Sequence, residues 1–280
     1  MSKYWDGEDY KNNSRLQRTF GSMIIDKFIV NDRYMLGLNE KIGLDIGCGD
    51  GFITNELQQK LKCKVNGIDF SPDMIVVAKE YEKQNKNVSF SQRDITESME
   101  SMDCEQKYSF VTSFFCLQWL TDQKAAYHNI SELLSTGGYG YLLISPKKKT
   151  NTTNYVSVIQ ELLKGDEYSK YFSDFCIERF DLTRENIESN IKKSGLVLDK
   201  IIEINEPFFF VNRKELSNFF GSTVSNRLVI RIGYESTKKE HVEKLCDNVV
   251  KQIVNQHNFI EMDNGQIKSQ QTLLFVILHK

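Results

Sequence analysis

Over its first half the chain alternates between two periodicities. Short apolar runs, Ile42 to Ile46, Lys64 to Ile68, Val88 to Phe90, Tyr108 to Ser113 and Tyr139 to Ile144, have the length of buried strands. Between them Phe52 to Lys62, Ser71 to Gln84 and Gln123 to Leu134 repeat apolar residues at helical spacing. That alternation of strand and helix predicts a parallel sheet with helices on both faces.

Local signals sharpen the boundaries. Ser71-Pro72-Asp73 offers a capping hydroxyl, a proline whose missing N–H costs nothing in the first turn, and an acid where the helix dipole favours one. The stretch Ser135-Thr136-Gly137-Gly138 is expected to end the preceding helix through a glycine in the left-handed conformation. From Lys147 the pattern changes. A basic, polar run to Asn154 leads into an aromatic-rich region with Tyr155, Tyr168, Tyr171, Phe172, Phe175 and Phe180. Lys147 to about Arg179 is expected to be a lid or substrate cap. Beyond it, Thr183 to Ser194 and Lys214 to Phe220 predict helices, and Leu196 to Ile204 a strand. Leu273 to Leu278 predicts a last strand that enters the sheet from far away in sequence. The fold class is therefore α/β: a doubly wound, seven-stranded, mostly parallel sheet with a small insertion.

Bulk properties exclude several functions. A net charge of −2 leaves no electrostatic footprint for nucleic acid or an anionic membrane. Cysteines at 48, 63, 104, 116, 176 and 246 form no C-x-x-C pair and do not cluster with histidines, so no metal site or disulfide framework is expected. No run is long and apolar enough to span a bilayer, and no leader precedes the first strand, so a cytoplasmic location is expected. Nothing in the sequence speaks to oligomeric state.

The chemistry concentrates where strands turn into helices. Leu44-Asp45-Ile46-Gly47-Cys48-Gly49-Asp50-Gly51 has glycines spaced so that the backbone can approach a ligand that a Cβ at Gly47 or Gly49 would obstruct. Nicotinamide enzymes use G-x-G-x-x-G with a pyrophosphate on the helix N-terminus. Here the third glycine comes one residue early, and Asp45 and Asp50 would repel phosphates. A ligand with an amino acid tail and no phosphate fits better. Asp69, ending the second strand in Gly67-Ile68-Asp69-Phe70, can accept from both hydroxyls of an adenosine ribose. Asp94, in Arg93-Asp94-Ile95, can accept from an adenine amine while Ile95 covers the ring.

Together these strings resemble the successive motifs of class I S-adenosylmethionine methyltransferases, which have a Rossmann-like fold, over roughly residues 40 to 145. Leu134-Ser135-Thr136-Gly137-Gly138-Tyr139-Gly140 before the fifth strand belongs to the same likeness. The resemblance implies S-adenosyl-L-methionine as cofactor, with Asp45, Gly47 and Gly49 near its amino acid moiety, Asp69 on the ribose, and Asp94 and Ile95 bracketing the adenine. Cys48, Phe70, Met74 and Phe115 complete the implied cofactor-binding set. Ser109 departs from the acid many members carry there. The implied organisation is one domain over 1–280: an N-terminal helical cap to 40, a cofactor-binding core over 41–146, a lid and helix over 147–195, and 196–280 completing the sheet.

A narrower resemblance concerns the acceptor. Tyr10-Lys11-Asn12-Asn13-Ser14-Arg15-Leu16-Gln17 and Phe115-Cys116-Leu117-Gln118-Trp119 are similar to the branch containing juvenile hormone acid, trans-aconitate and malonyl-carrier-protein O-methyltransferases. It implies a small carboxylic acid as acceptor, with Gln17 and Trp119 as the catalytic-site residues that hold it. An ionised carboxylate is already a nucleophile at neutral pH, so no general base is required. Trp5, Tyr10 and Leu16 are too apolar for a free tail, so Trp5 to Gln17 is expected to close over the ligands. A phenol, amine or protein side chain is the alternative acceptor. A nicotinamide-dependent oxidoreductase and a non-catalytic binding module are remoter ones.

Overall fold

The computed structural model describes residues 6–32, 34, 41–98, 106–146, 155–169, 182–225, 236–255 and 259–280. The chain packs into two compact units, each assembled from separate segments.

The larger unit, residues 15–148, 179–204 and 272–280, holds the main sheet. Its strands are β1 (Ile42–Ile46), β2 (Lys64–Asp69), β3 (Val88–Gln92), β4 (Tyr108–Phe114), β5 (Leu134–Ile144), β6 (Val197–Ile204) and β10 (Leu273–His279). They lie in the order β3-β2-β1-β4-β5-β10-β6. Strands β1 to β5 pair in parallel, and β10 runs antiparallel between β5 and β6. All seven sequence-predicted strands are present, and the sheet is mostly parallel as expected. Buried Leu44, Ile46, Val111, Leu142, Ile144 and Val276 form one continuous core with Tyr127 and Ile130 from the helical layer.

The connecting helices are α2 (Arg15–Ile24), continued by a π-helical turn over Ile25–Ile29, α3 (Phe52–Leu61), α4 (Pro72–Gln84), α5 (Gln123–Leu133) and α7 (Arg184–Lys193). Ser71 caps α4 by accepting from the Met74 N–H, with Pro72 in the first turn, as the sequence predicts. The end of α5 differs from expectation. The helix stops at Leu133 because Leu134 is already extended (φ −69°, ψ 136°) and pairs with Tyr108. Gly137 does take a left-handed φ of +75°, but within β5, where its N–H donates to the Lys280 carbonyl at 3.0 Å. The glycine bends a strand and caps no helix.

The smaller unit comprises residues 1–14, 149–178 and 205–271. It contains α1 (Gly7–Asn13), α6 (Tyr155–Lys164), α8 (Arg213–Phe220) with a π-helical turn over Gly221–Ser225, and α9 (Ser236–Ile253). A three-stranded antiparallel sheet, ordered β7-β9-β8, is built from β7 (Pro207–Phe210), β8 (Phe259–Glu261) and β9 (Ile267–Gln270). Phe208 and Phe210 alternate inward on β7, and their rings meet edge to face at 4.8 Å. Tyr168 is buried and its hydroxyl accepts from Asn248 at 3.1 Å. Trp5, Lys147 to Asn154, Tyr171, Phe172, Phe175 and Phe180 lie outside the described residues.

Candidate active site

In a doubly wound sheet the ligand crevice opens at the carboxyl edge where the strand order reverses. Here that point lies between β1 and β4, which are neighbours although two strands separate them in the chain. The turn after β1 therefore faces the turn after β4. Both are tight, and the structure shows why.

Gly47, Gly49 and Gly51 have φ of +70°, +54° and +81°, which L side chains rarely adopt. A Cβ on Gly47 would stand 2.4 Å from Cys116 Sγ, so this glycine yields to the chain's own turn after β4 and not only to a ligand. A Cβ on Gly51 would stand 2.8 Å from the Phe90 ring. The turn is folded down onto β2: the Gly47 and Cys48 N–H groups share the Ile68 carbonyl at 2.8 and 3.0 Å. Opposite, Phe115 has φ +56°, a costly conformation for an aromatic residue, and its N–H donates to Leu143 at 2.8 Å. That reversal brings Cys116 under Gly47 and starts the short 3-10 turn Leu117–Trp119.

Four carboxylates converge on this edge. Asp45 is buried, directly opposite Thr112 in the register of β1 with β4. Its Oδ1 accepts from Thr112 Oγ1 at 2.7 Å and its Oδ2 from Thr54 Oγ1 at 2.6 Å, so it joins β1, β4 and α3. Burial pushes its carboxyl up to about 6, against the pull of the two hydroxyls. Asp69 is half-buried. Its Oδ2 accepts from the Gly49 N–H at 3.0 Å and its Oδ1 from the Ser71 N–H at 2.9 Å. Burial pushes it too up to about 6; these N–H groups oppose the rise, and the Asp94 charge adds to it. Asp94 Oδ1 accepts from Thr96 N–H at 2.9 Å and Oγ1 at 2.7 Å. The neighbouring Ile95 is buried, its carbonyl fixed by Asn129 at 2.7 Å. Asp50, the fourth, is buried and accepts from Arg18.

The remaining sequence candidates fall on the same edge. Cys48 and Met74 are buried, while Phe70, Phe115 and Trp119 are half-buried. Burial raises the Cys48 and Cys116 thiols above their ordinary range, and nearby carboxylates push the same way. Gln17 lies one turn before Gly21, where an added Cβ would stand 2.4 Å from the Ile53 side chain of α3 and 3.5 Å from Phe114 at the end of β4. Gln17 itself is half-buried. Its Oε1 is buried and bonded to nothing within the described residues.

Four contributors escaped the sequence reading. Thr54 and Thr112 both donate to Asp45, but threonines at those positions look like ordinary helix and strand residues. Gln118 is 3% exposed, with Oε1 lacking a partner. Its position between Leu117 and Trp119 gave the only hint. Arg18 follows Gln17 directly. Among the described residues no cluster of His, Cys, Asp and Glu has metal-ligand geometry, and no helix is long and apolar enough to cross a membrane. His128 is exposed on α5, and His279 pairs with Asp199 at 2.9 Å.

A ligand for this edge must bring donors and positive charge to a turn rich in acceptors, and it must do without phosphates. S-adenosylmethionine matches that demand through its ribose hydroxyls, adenine amine, ammonium and sulfonium. Residues 39–208 match the family described as a methyltransferase domain, and the chain belongs to that family. It is an S-adenosylmethionine-dependent methyltransferase. Over 216 residues it is 30% identical to methyltransferase 235L of Invertebrate iridescent virus 6, covering 77% of this chain and 75% of that one. It is 23% identical to malonyl-[acyl-carrier protein] O-methyltransferase 1 of Ilyobacter polytropus, over 81% of each chain. With the juvenile hormone acid O-methyltransferase of Drosophila melanogaster it shares 26% identity, over 61% of this chain and 56% of that one. In fold it resembles phosphoethanolamine N-methyltransferase 2 of Haemonchus contortus, solved with S-adenosylhomocysteine (TM-score 0.59, 16% identity, 100% of this chain and 59% of that one).

Proposed function

We propose that this methyltransferase esterifies a small carboxylic acid, with Gln17 and Trp119 holding the acceptor carboxylate. The observation that carries the reading is placement: Trp119 ends the short turn that follows β4, and Gln17 lies half-buried on α2, whose Gly21 packs on Ile53 of α3. A side-chain amide and an indole N–H are neutral donors suited to orienting an anion without taking its proton. The acceptor then needs alignment and desolvation more than a base. The juvenile hormone acid and malonyl-carrier-protein relatives support a carboxylate in particular.

For the cofactor, Asp69 would accept from the ribose hydroxyls, and Asp94 from the adenine amine beside Ile95. Gly47 and Gly49 would line its amino acid moiety, with Cys48, Phe70, Met74 and Phe115 around it. When bound, S-adenosylmethionine supplies the electrophilic methyl carbon. Asp45 accepts from a threonine on each oxygen and holds the glycine turn against β4 and α3.

The test is incubation with methyl-labelled cofactor and a panel of carboxylic acids, phenols and amines. The expected product is an alkali-labile methyl ester. Trp119→Phe keeps the ring but loses the donor, and should reduce kcat/KM by about 1 to 3 kcal/mol. Alkali-stable products, or unchanged kinetics in Trp119→Phe on a true acid substrate, would count against the carboxylate.

A further inference from the structure

Gln123 opens α5, and its side chain reaches back to the turn that follows β4. Asp122 caps the helix by accepting from the Ala125 N–H at 2.9 Å, which anchors the backbone of Gln123 in the first turn. Gln123 Nε2 donates to the Leu117 carbonyl and, at 3.1 Å, to the Leu120 carbonyl. Those two residues bracket Gln118 and Trp119. The backbone of the turn adds modest bonds: the Trp119 N–H donates to Cys116 at 2.9 Å and the Leu120 N–H to Leu117 at 3.2 Å. Leu120 is already extended (φ −83°, ψ 135°), so the chain leaves the turn at once. A single 3-10 turn has poor hydrogen-bond geometry and is a weak platform for an aromatic side chain. The Gln123 amide ties both its ends to the start of α5.

The same amide does little for stability. Its Oε1 is buried without a partner, a cost that opposes the two bonds made by Nε2. Methionine or leucine would fill the space without burying a bare oxygen, and an ionised glutamate would set acceptors against two carbonyls. The amide brings two donors to two acceptors three residues apart, and what it determines is where Trp119, half-buried between the clamped carbonyls, stands. We infer that Gln123 is a positioning residue, which fixes the turn that presents Trp119 to the acceptor. The inference rests on Trp119 holding that acceptor.

Trp119 is one of two tryptophans in the chain, so Trp5→Phe leaves it as the sole indole fluorophore. In that background Gln123→Met should roughly double the acrylamide quenching constant of Trp119 and add depolarisation on the nanosecond scale. The melting temperature should shift by about 3 °C or less, and the calorimetric Kd for S-adenosylhomocysteine by less than about twofold. With the carboxylic acid that the wild type methylates fastest, kcat/KM should fall about ten- to a hundredfold. Asp122→Ala is the control: it removes the cap of α5 and should lower the melting temperature while leaving Trp119 quenching unchanged. Quenching unmoved in both Gln123→Met and Gln123→Glu would overturn the inference, as would an equal change in Asp122→Ala. Failure of both Gln123→Met and Gln123→Leu to fold would also overturn it, since the amide would then be serving stability. So would a freed Trp119 with unchanged kcat/KM in an enzyme that Trp119→Phe impairs. If Trp119→Phe is silent too, or if no acid is methylated, the carboxylate reading fails, and Trp119 quenching alone decides for or against Gln123.

Discussion

Cofactor affinity should depend on pH through Asp69. Burial holds its carboxyl at about 6, above the ordinary 3.8, so in the free protein a large fraction is protonated at mildly acidic pH. Accepting two ribose hydroxyls requires the ionised form, so binding must remove the proton. The apparent Kd should scale as one plus the ratio of protonated to ionised Asp69: nearly flat from pH 7.5 to 7, about twofold weaker at 6, and about tenfold weaker at 5. Calorimetry in two buffers of different ionisation enthalpy should count roughly half a proton released per cofactor at pH 6. Asp69→Asn should bind more weakly at pH 7.5, by about 1.5 to 3 kcal/mol, and lose the pH slope. Stability of the cofactor-free protein should move the other way. Asp45 is fully buried, with its carboxyl also raised from 3.8 to about 6, so it favours the protonated native state. Its contribution is whole below the unfolded value and lost as pH rises through 6, a swing of about 3 kcal/mol. Asp69, partly open to solvent, adds less. An affinity that stays flat to pH 5, or a slope that survives in Asp69→Asn, would refute this account.

Gly47→Ala should lower the melting temperature and weaken cofactor binding, since it combines a φ of +70° with a Cβ 2.4 Å from Cys116; the strain alone costs about 1 to 3 kcal/mol. Adding Cys116→Gly should recover only the steric part, as differential scanning calorimetry of the double variant would show. Thr112→Val removes one of two bonds to a buried carboxylate and should cost about 1 to 3 kcal/mol in urea unfolding at pH 7.5. That cost should shrink at pH 4.5, where Asp45 is protonated; an equal loss at both pH values would mean the hydroxyl acts by packing.

The main sheet was legible because most of its strands carry apolar runs and three of the connections, β1 to β2, β2 to β3 and β4 to β5, are helices of ten residues or more, long enough to show their period. The small sheet was not. Strands β7, β8 and β9 are three or four residues long, too short for alternation, and β9 carries Lys268, Ser269 and Gln270. Helix α9 was readable in Val242, Leu245, Cys246, Val249, Val250 and Ile253, which are buried at helical spacing, but no motif drew attention to it. The turn after β1 was recognisable from its glycines, whereas the reason for Gly47 lies partly in Cys116, 69 positions away. Such a pairing exists only once β1 and β4 are neighbours. Arg18 was hidden likewise: it meets Asp50 and Phe52 only once the fold brings them to it.

The place of β10 has a consequence in time. Among the described strands it joins β6 to the rest of the sheet, and it is made after a long segment that forms most of the smaller unit. Until it emerges, Tyr141, Leu142 and Leu143 of β5 offer an unpaired apolar edge to any strand that comes by. The gap from Ile144 to Leu273, at ribosomal speeds of about 5 to 20 residues per second, is on the order of ten seconds. A nascent chain therefore holds a nearly finished cofactor half that cannot close, and it gains from chaperone cover during that interval. Once Leu273 pairs with Ile204, the two ends of the intervening segment are pinned side by side on adjacent strands.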